Sequence, residues 1–306
     1  MILVAGGTGR LGTLLVQHLT VRGLPVRVLT RDAARASHLA RTGITLDVAL
    51  GDVRNPDSLA RAVQGADLVV SAMHGFSGLD DGSPASVDRK GNMNLIDAAR
   101  AAGAAVVLMS VVGAAPSHAM ELFRAKYDAE RYLRQSGLRW TIVRATSFIE
   151  TWAMVMGTPL QQTGKAMVLG RGENPINFVS TVDVAALLER AVIDPALRAQ
   201  TIEIGGSANV TFNQFAATLL KACGRPGSVR HIPRPMLRAM GFLMRGLKPG
   251  FARHARAAVA MDTIDMTFDA SKTRRDFPHL PNTDLNTAVE RWFSEERKRA
   301  APPAQK

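Results

Sequence analysis

The stretch that most restricts the fold stands at the start of the chain, where residues 1–32 read MILVAGGTGRLGTLLVQHLTVRGLPVRVLTRD. An apolar run, ILVA, passes directly into a glycine-rich turn. The turn opens into a segment whose apolar residues recur at helical spacing. A second apolar run, VRVL, follows Gly23. Strand, glycine turn, helix and strand in that order make a βαβ unit, whose two strands must lie parallel.

Gly7, Gly9 and Gly12 satisfy G-x-G-x-x-G, and Gly6, Gly9 and Gly12 satisfy G-x-x-G-x-x-G. In such a loop one glycine permits a tight turn, one lets the backbone approach a pyrophosphate, and one lets helix pack closely on strand. The helix start then offers unpaired N–H groups and a positive dipole end to phosphate. A bound dinucleotide is the expected ligand. Gly6, Thr8, Gly9, Arg10, Leu11 and Gly12 are its expected contacts in the loop.

The same rhythm continues. VRVL, TLDVAL, DLVVS, VVLMS and WTIVR read as strands, separated by RLGTLLVQHLTVRG, AARASHLART, NPDSLARAVQG, DRKGNMNLIDAARAAG and HAMELFRAKYDAERYLRQSG, which read as helices. Several helices end in glycine, as a left-handed stop favours. Alternation at these lengths predicts an α/β, doubly wound parallel sheet of the Rossmann type. After Ala145 the rhythm changes to a loop, the strand INFVS, the helix TVDVAALLERAV, the strand TIEIG and the helix TFNQFAATLLKACG. A basic, Met-rich segment from Arg234 to Met261 and a terminal helix around Asn286–Arg297 come next. The expected division is a dinucleotide-binding domain over 1–145, a smaller α/β lobe over 146–300 interwoven with it, and a disordered tail over 301–306.

Ribose selection is read at the end of the second strand. An acid there would accept from the 2′-hydroxyl of NAD. Thr30 occupies that place and Arg31 follows, and an arginine pairs with the 2′-phosphate of NADP. Arg10 is a candidate second contact. NADP(H) is therefore preferred, and NAD(H) stays open through Asp32. Asp52, with Val53 beside it, follows the third strand, where a carboxylate can accept from the adenine amino group or cap the helix that begins at Pro56. Ala72 and Met73, in SAMHG after the fourth strand, should pass under the cofactor ribose. His74, in the same loop, reads as incidental.

Composition bounds the setting. A single cysteine, Cys223, excludes an internal disulfide and points to a reducing compartment, so a cytoplasmic protein is expected. No secretory signal is recognised before the first strand, and the longest uncharged stretch, Ala101 to Met120, is interrupted by glycines, Pro116 and His118. The net charge is +12, and 17 of the 38 basic residues but only 8 of the 26 acidic ones lie after residue 220. With 5% aromatic residues and no recognisable nucleic-acid motif, no specific nucleic-acid partner is expected. In the basic segment Met236, Met240, Leu243, Met244 and Leu247 recur at helical spacing. Packing inside the smaller lobe is the ordinary reading. A lid over a substrate cleft and peripheral contact with an anionic membrane through Arg234–Met261 remain open. No metal site is expected, and the assembly should be a monomer or homodimer.

GGTGRLG with VLTRD, then GDVRNPDSLARAVQGADLVVS, GNMNLIDAARAAG, LMSVVGA, KYDAERYLRQSGLRWTIVRATSFIE and FVSTVDVA, resembles the atypical short-chain dehydrogenase/reductases. The likeness is to their NmrA-like, NAD(P)H-binding branch, with isoflavone-reductase-like relatives, and runs from Met1 to about Val192. It implies a catalytic Ser, Tyr and Lys, the tyrosine four residues before the lysine. At that spacing the ammonium can depress the phenol's pKa and hold the nicotinamide ribose. Ser110 matches the serine and Lys126 the lysine, but Leu122 stands where the tyrosine belongs. Tyr127 lies about 100° away round the helix. Ala145 replaces the branch's usual proline after VR. Asp183 reads as a helix-start residue bonding backbone N–H groups.

Three functions follow as expectations. The first is NADPH-dependent reduction of a small apolar carbonyl, enone or quinone-like substrate, with Lys126 and Ser110 as catalytic residues. The second is an NADP(H)-sensing regulator without turnover. The third is a membrane-associated assembly factor.

Overall fold

A computed structural model describes residues 1–40, 46–76 and 82–300. The expected tail 301–306, the end of the helix AARASHLART and the first residue of the strand TLDVAL lie outside the described residues.

The first half runs β1 (Ile2–Ala5), α1 (Arg10–Val21), β2 (Val26–Thr30), α2 (Ala33–Ala40), β3 (Asp47–Leu50), α3 (Pro56–Ala62) and β4 (Leu68–Ser71). A π-helical stretch, Pro84–Gly91, continues into α4 (Asn92–Ala101), followed by β5 (Ala105–Val111), α5 (Glu121–Arg134) and β6 (Trp140–Ala145). The second half runs β7 (Ser147–Phe148), α6 (Ile149–Thr163), β8 (Lys165–Leu169), β9 (Pro175–Val179), α7 (Thr181–Ile193), β10 (Gln200–Ile204), β11 (Asn209–Thr211) and α8 (Phe212–Cys223). It ends with β12 (Ser228–Ile232), α9 (Arg234–Leu243), α10 (Pro249–Met261), α11 (Ser271–Asp276) and α12 (Leu285–Ala300).

Seven strands form one sheet in the order β10-β6-β5-β4-β1-β2-β3, with every pairing parallel. This is the doubly wound, Rossmann-type sheet that the alternation predicts. Successive strand residues point to opposite faces. Val4, Val28 and Val107 meet Leu15, Leu19, Leu187 and Leu188 of α1 and α7. Leu3, Val106 and Leu108 meet Leu59, Leu95, Ile96 and Leu133 of α3, α4 and α5.

The second half is threaded through the first, since β10 extends the sheet beyond β6 and α7 lies against α1. What remains builds a second core, in which α6, α8 and α12 surround the buried Trp292. The sequence reading has a loop where α6 stands, because Gly157, Thr158 and Pro159 break helical propensity. Packing overrides that propensity. Ile149, Ala153, Met156 and Leu160 recur at helical spacing and are buried, and a Cβ at Gly157 would come within 2.7 Å of the Trp292 ring. Glycine lets the indole lie directly on the helix.

Asp183 does not cap its own helix. Ser180 does, accepting from the Val182 amide, while the buried Asp183 carboxylate accepts from the Thr283 amide (3.0 Å) and hydroxyl (2.6 Å) and from Arg274 (3.2 Å). It fastens α11 and the segment between α11 and α12 to the start of α7. Among the described residues no helix is long and apolar enough to cross a membrane.

Candidate functional site

β1 lies between β2 and β4. The chain leaves β1 and β4 in opposite directions, which opens a crevice at their carboxyl ends. The glycine loop fills the floor of that crevice. Gly6 has φ +85°, and a Cβ there would come within 2.8 Å of the Ala72 carbonyl. At Gly12 a Cβ would come within 2.1 Å of the Gly6 oxygen. Gly9, at the N-cap of α1, supplies no side-chain cap, so the amides of Arg10, Leu11 and Gly12 lack intrahelical partners. Thr8 lies beside them, partly exposed.

At the end of β2 the buried Thr30 hydroxyl donates to the Asp32 carbonyl, and the Asp32 carboxylate accepts from the Ala34 amide at the start of α2. Asp32 is thus engaged in starting a helix, while Arg31 is exposed at the rim. Asp52 accepts from the Arg54 amide (2.9 Å), Nε (3.0 Å) and Nη2 (2.6 Å). The Arg54 guanidinium holds the Asp52 carboxyl below its ordinary range, against the effect of burial, with a smaller contribution from Arg31. The cap before Pro56 is Asn55, not Asp52. Arg10 pairs with Glu295 of α12 at 2.8 Å and lies 3.9 Å from Glu296. This exposed pair is worth about 0.2–1 kcal/mol, little enough for an incoming phosphate to replace.

Lys126 is almost fully buried. Its ammonium donates to the carbonyls of Met73 (3.0 Å) and Met109 (2.9 Å) and pairs with the buried Asp88 at 3.0 Å. The second Asp88 oxygen accepts from the Gly75 amide (2.7 Å). Asn92 continues the network, donating to the Asp88 carbonyl (2.7 Å) and accepting from the Ser71 hydroxyl (2.6 Å). Asp88 and Asn92 were missed by the sequence reading. They stand four residues apart on one helix, the one signal that could have found them. The π-helical stretch carries Asp88, and π turns of this kind often mark functional sites.

Ser110 is not brought to the ammonium. Its buried hydroxyl donates to Glu130 at 2.6 Å, on the α5 side of the sheet. Glu130 also accepts from Arg144 (2.8 and 2.7 Å) and Arg134 (2.9 Å). The hydroxyl helps hold a buried carboxylate, a contact that stands beside the donor role to substrate implied by the resemblance. Burial alone would raise the Glu130 pKa, but Arg144 and then Ser110 outweigh it and lower it from the ordinary 4.5. A lowered folded-state value stabilises fully above about pH 4.5, and that stability is lost as pH falls through the folded value. Glu130→Gln should therefore lower stability at pH 7 and flatten the decline below about pH 4.5. Urea midpoints between pH 7 and 3 check this. A parallel decline in both proteins would refute it.

One turn before Lys126, Leu122 lines a cavity of about 70 Å³ with Phe76, Met120, Arg253, Arg256 and Ala257. His254 bonds the Phe76 carbonyl at 2.7 Å and so fixes that wall. His74 lies in the loop after β4 and is exposed to solvent. Tyr127 is partly exposed and faces a different side of α5 from Lys126.

A family model described as NAD(P)H-binding matches residues 6–195. The chain belongs to the NAD(P)H-binding family. Within it, the chain is similar to the NAD(P)H azoreductase of Xenophilus azovorans, at 31% identity over 76% of each chain. It is also similar to the photosystem II assembly factor Ycf39 of Synechocystis sp. (strain ATCC 27184 / PCC 6803 / Kazusa), at 29% identity over 78% of this chain and 72% of that one. Among solved structures, an NADPH-dependent quinone oxidoreductase complexed with NADPH from Escherichia coli superposes with a TM-score of 0.75. It is 24% identical, with 96% of this chain and all of that one covered. The resemblance to the NmrA-like branch holds, and isoflavone reductase homologues stand among the relatives.

The residues present suit the NAD(P)H of this family. Gly6 and Gly12 let the loop close against the backbone of Ala72 and against the start of α1, where a Cβ would collide, and the start of α1 offers amides where a pyrophosphate needs donors. Val53 is held against α4 by the Asn94 side chain, which donates to its carbonyl at 2.9 Å. Ala72 is fixed by its amide, which donates to the Ala5 carbonyl at 2.8 Å. Among the described residues no group of His, Cys, Asp or Glu is placed to hold a metal ion.

Proposed function

We propose that this protein is an NADPH-dependent reductase of a small apolar acceptor, quinone-like or enone-like rather than a simple ketone. The observation that carries this is that, among the described residues, neither position that the family pattern uses for proton donation is free to donate. Leu122 has no proton to give, and the Ser110 hydroxyl is committed to Glu130. NADPH supplies a hydride, and the protein need only place its ring against the acceptor. A reduced quinone is a stabilised anion that takes its proton from water. An alkoxide formed from a simple ketone is far more basic and needs a donor at hand. The E. coli quinone oxidoreductase among the relatives supports a quinone-like acceptor, and the azoreductase supports reduction by NAD(P)H.

In this reading Gly6, Thr8, Gly9, Arg10, Leu11 and Gly12 hold the pyrophosphate and adjoining ribose. Arg31 meets the 2′-phosphate. Asp52 and Val53 flank the adenine, and Ala72 and Met73 underlie the ribose. Lys126 keeps Met73 in place and reaches the nicotinamide ribose only by exchanging one of its three partners. The acceptor enters beside Leu122 and Phe76. The protein acts in the cytoplasm as a monomer or homodimer.

The saturated Lys126 favours one competing reading, a cofactor-sensing protein without turnover. Stopped-flow oxidation of bound NADPH by quinones, enones and simple ketones separates the two. Quinones should react fastest. Tight NADPH binding with no oxidation by any acceptor would establish the sensor. Arg31→Ala should weaken NADPH about ten- to a hundredfold, the value of a charge-assisted bond, and leave NADH nearly unchanged. Equal or tighter NADH binding by the unsubstituted protein would defeat the assignment to NADP(H).

A further inference from the structure

We propose that the α9–α10 hairpin is a docking surface for an anionic lipid bilayer. Residues 224–261 contain seven arginines and Lys248 but no aspartate or glutamate. Within that stretch the Met-rich stripe does not become core, as its spacing would allow. Leu237 and Gly241 face α10, and Gly241 permits the close approach, since a Cβ there would come within 3.2 Å of Arg256 Cγ. The opposite face of α9 is left to solvent, with Phe242 63% and Leu243 69% exposed and Met236 exposed too, and so are Leu247 (81%) in the turn and Phe251 at the start of α10. These five are half of the ten large apolar side chains that the described residues leave exposed, so the exposure is concentrated rather than scattered.

Cations surround them. The Arg245 guanidinium lies 4.8 Å over the Phe242 ring, and Arg238, Arg245 and Arg256 line a groove of about 290 Å³ with Phe242 and Val259. Among the described residues Arg238, Arg245 and Lys248 pair with no carboxylate. Protruding apolar side chains within a basic rim suit the boundary between acyl chains and anionic headgroups. A second copy fits poorly. A two-fold contact through this face would set arginine against arginine. The hairpin lies on the bilayer rather than across it, since neither helix is long enough to span.

The groove and the cavity of the candidate site share a wall. Arg256 lines both the groove and the cavity beside Leu122 and Phe76. If the reductase reading holds, docking sets the cavity beside Leu122 and Phe76 near the surface in which an apolar acceptor dissolves. Docking itself does not depend on that reading.

The test is co-sedimentation of the whole protein with vesicles of phosphatidylglycerol and phosphatidylcholine, or of phosphatidylcholine alone, at low and high salt. Binding should be at least about tenfold stronger to the anionic vesicles and weaken with salt. Phe242→Asp with Leu247→Asp should lower it by about tenfold or more while NADPH affinity stays unchanged, which shows that the fold is intact. Equal binding to both vesicles, no binding, or retained binding in the double variant would overturn the proposal. So would a dimer that this variant dissolves, or preferential binding of RNA over vesicles. Vesicle binding without oxidation of NADPH by any quinone or enone dissolved in the membrane would leave docking standing and remove the reductase reading.

Discussion

Lys126→Ala should destabilise the protein by about 3–5 kcal/mol, the usual loss when one partner of a buried ion pair is removed. Asp88 would be left buried with no cation beside it, and the Met73 and Met109 carbonyls would each lose a donor. Chemical denaturation at pH 7 reads this directly. Lys126→Met combined with Asp88→Asn should recover much of the loss, because no buried charge is then left. NADPH affinity should fall with the single variant, since the ammonium ties the loop after β4 to the end of β5. A change below about 1 kcal/mol, of the size of an exposed pair, would mean that the ammonium does not rest on Asp88. Such a result would favour the ribose-holding role implied by the family resemblance.

Gly12→Ala should reduce NADPH affinity at least about a hundredfold, or about 2.7 kcal/mol, and lower stability as well. Its Cβ would have to share space with the Gly6 oxygen and the Gly7 Cα, at 2.1 and 2.7 Å. Neither atom is the tip of a flexible side chain, so the loop and α1 must separate. Gly9→Ala provides the contrast. The Gly9 backbone is extended (φ −81°), and a Cβ there would lie no closer than 3.3 Å to another atom. The folded protein should tolerate it, and only cofactor binding should suffer. Calorimetric titration with NADPH, paired with thermal melts without it, separates the two glycines. Equal effects of both substitutions on both readouts would show that the loop is assigned wrongly.

The parts of this fold that are written locally could be read from the chain. The glycine loop, the strands and the helices around them are each one contiguous pattern, and the parallel sheet follows from their order. What could not be read depends on partners far away in sequence. Glu130 meets Ser110 twenty residues back and Arg144 fourteen ahead. Asp88 meets a lysine on a different helix. Asp183 reads as a helix-start residue because its neighbours suit one, yet Thr283 claims it across a hundred residues. In α6, local propensity misleads, because the burial of Trp292 against Gly157 outweighs the break signalled by Pro159. The Met-rich stripe shows the converse. Its spacing is real, but spacing alone cannot say which face meets a neighbour.

The return of β10 to the main sheet bears on how the chain must be made. A ribosome delivers β6 some sixty residues before the strand that covers its outer edge. Over that interval the emerging α/β unit presents an unpaired strand edge, and α1 waits uncovered for α7. Exposed edges are templates for pairing with other chains, and contacts this distant in sequence close slowly. A chain halted near Ala145 would therefore be a sticky intermediate rather than a small working domain. The nucleotide-binding unit becomes self-sufficient only after two-thirds of the chain has been synthesised.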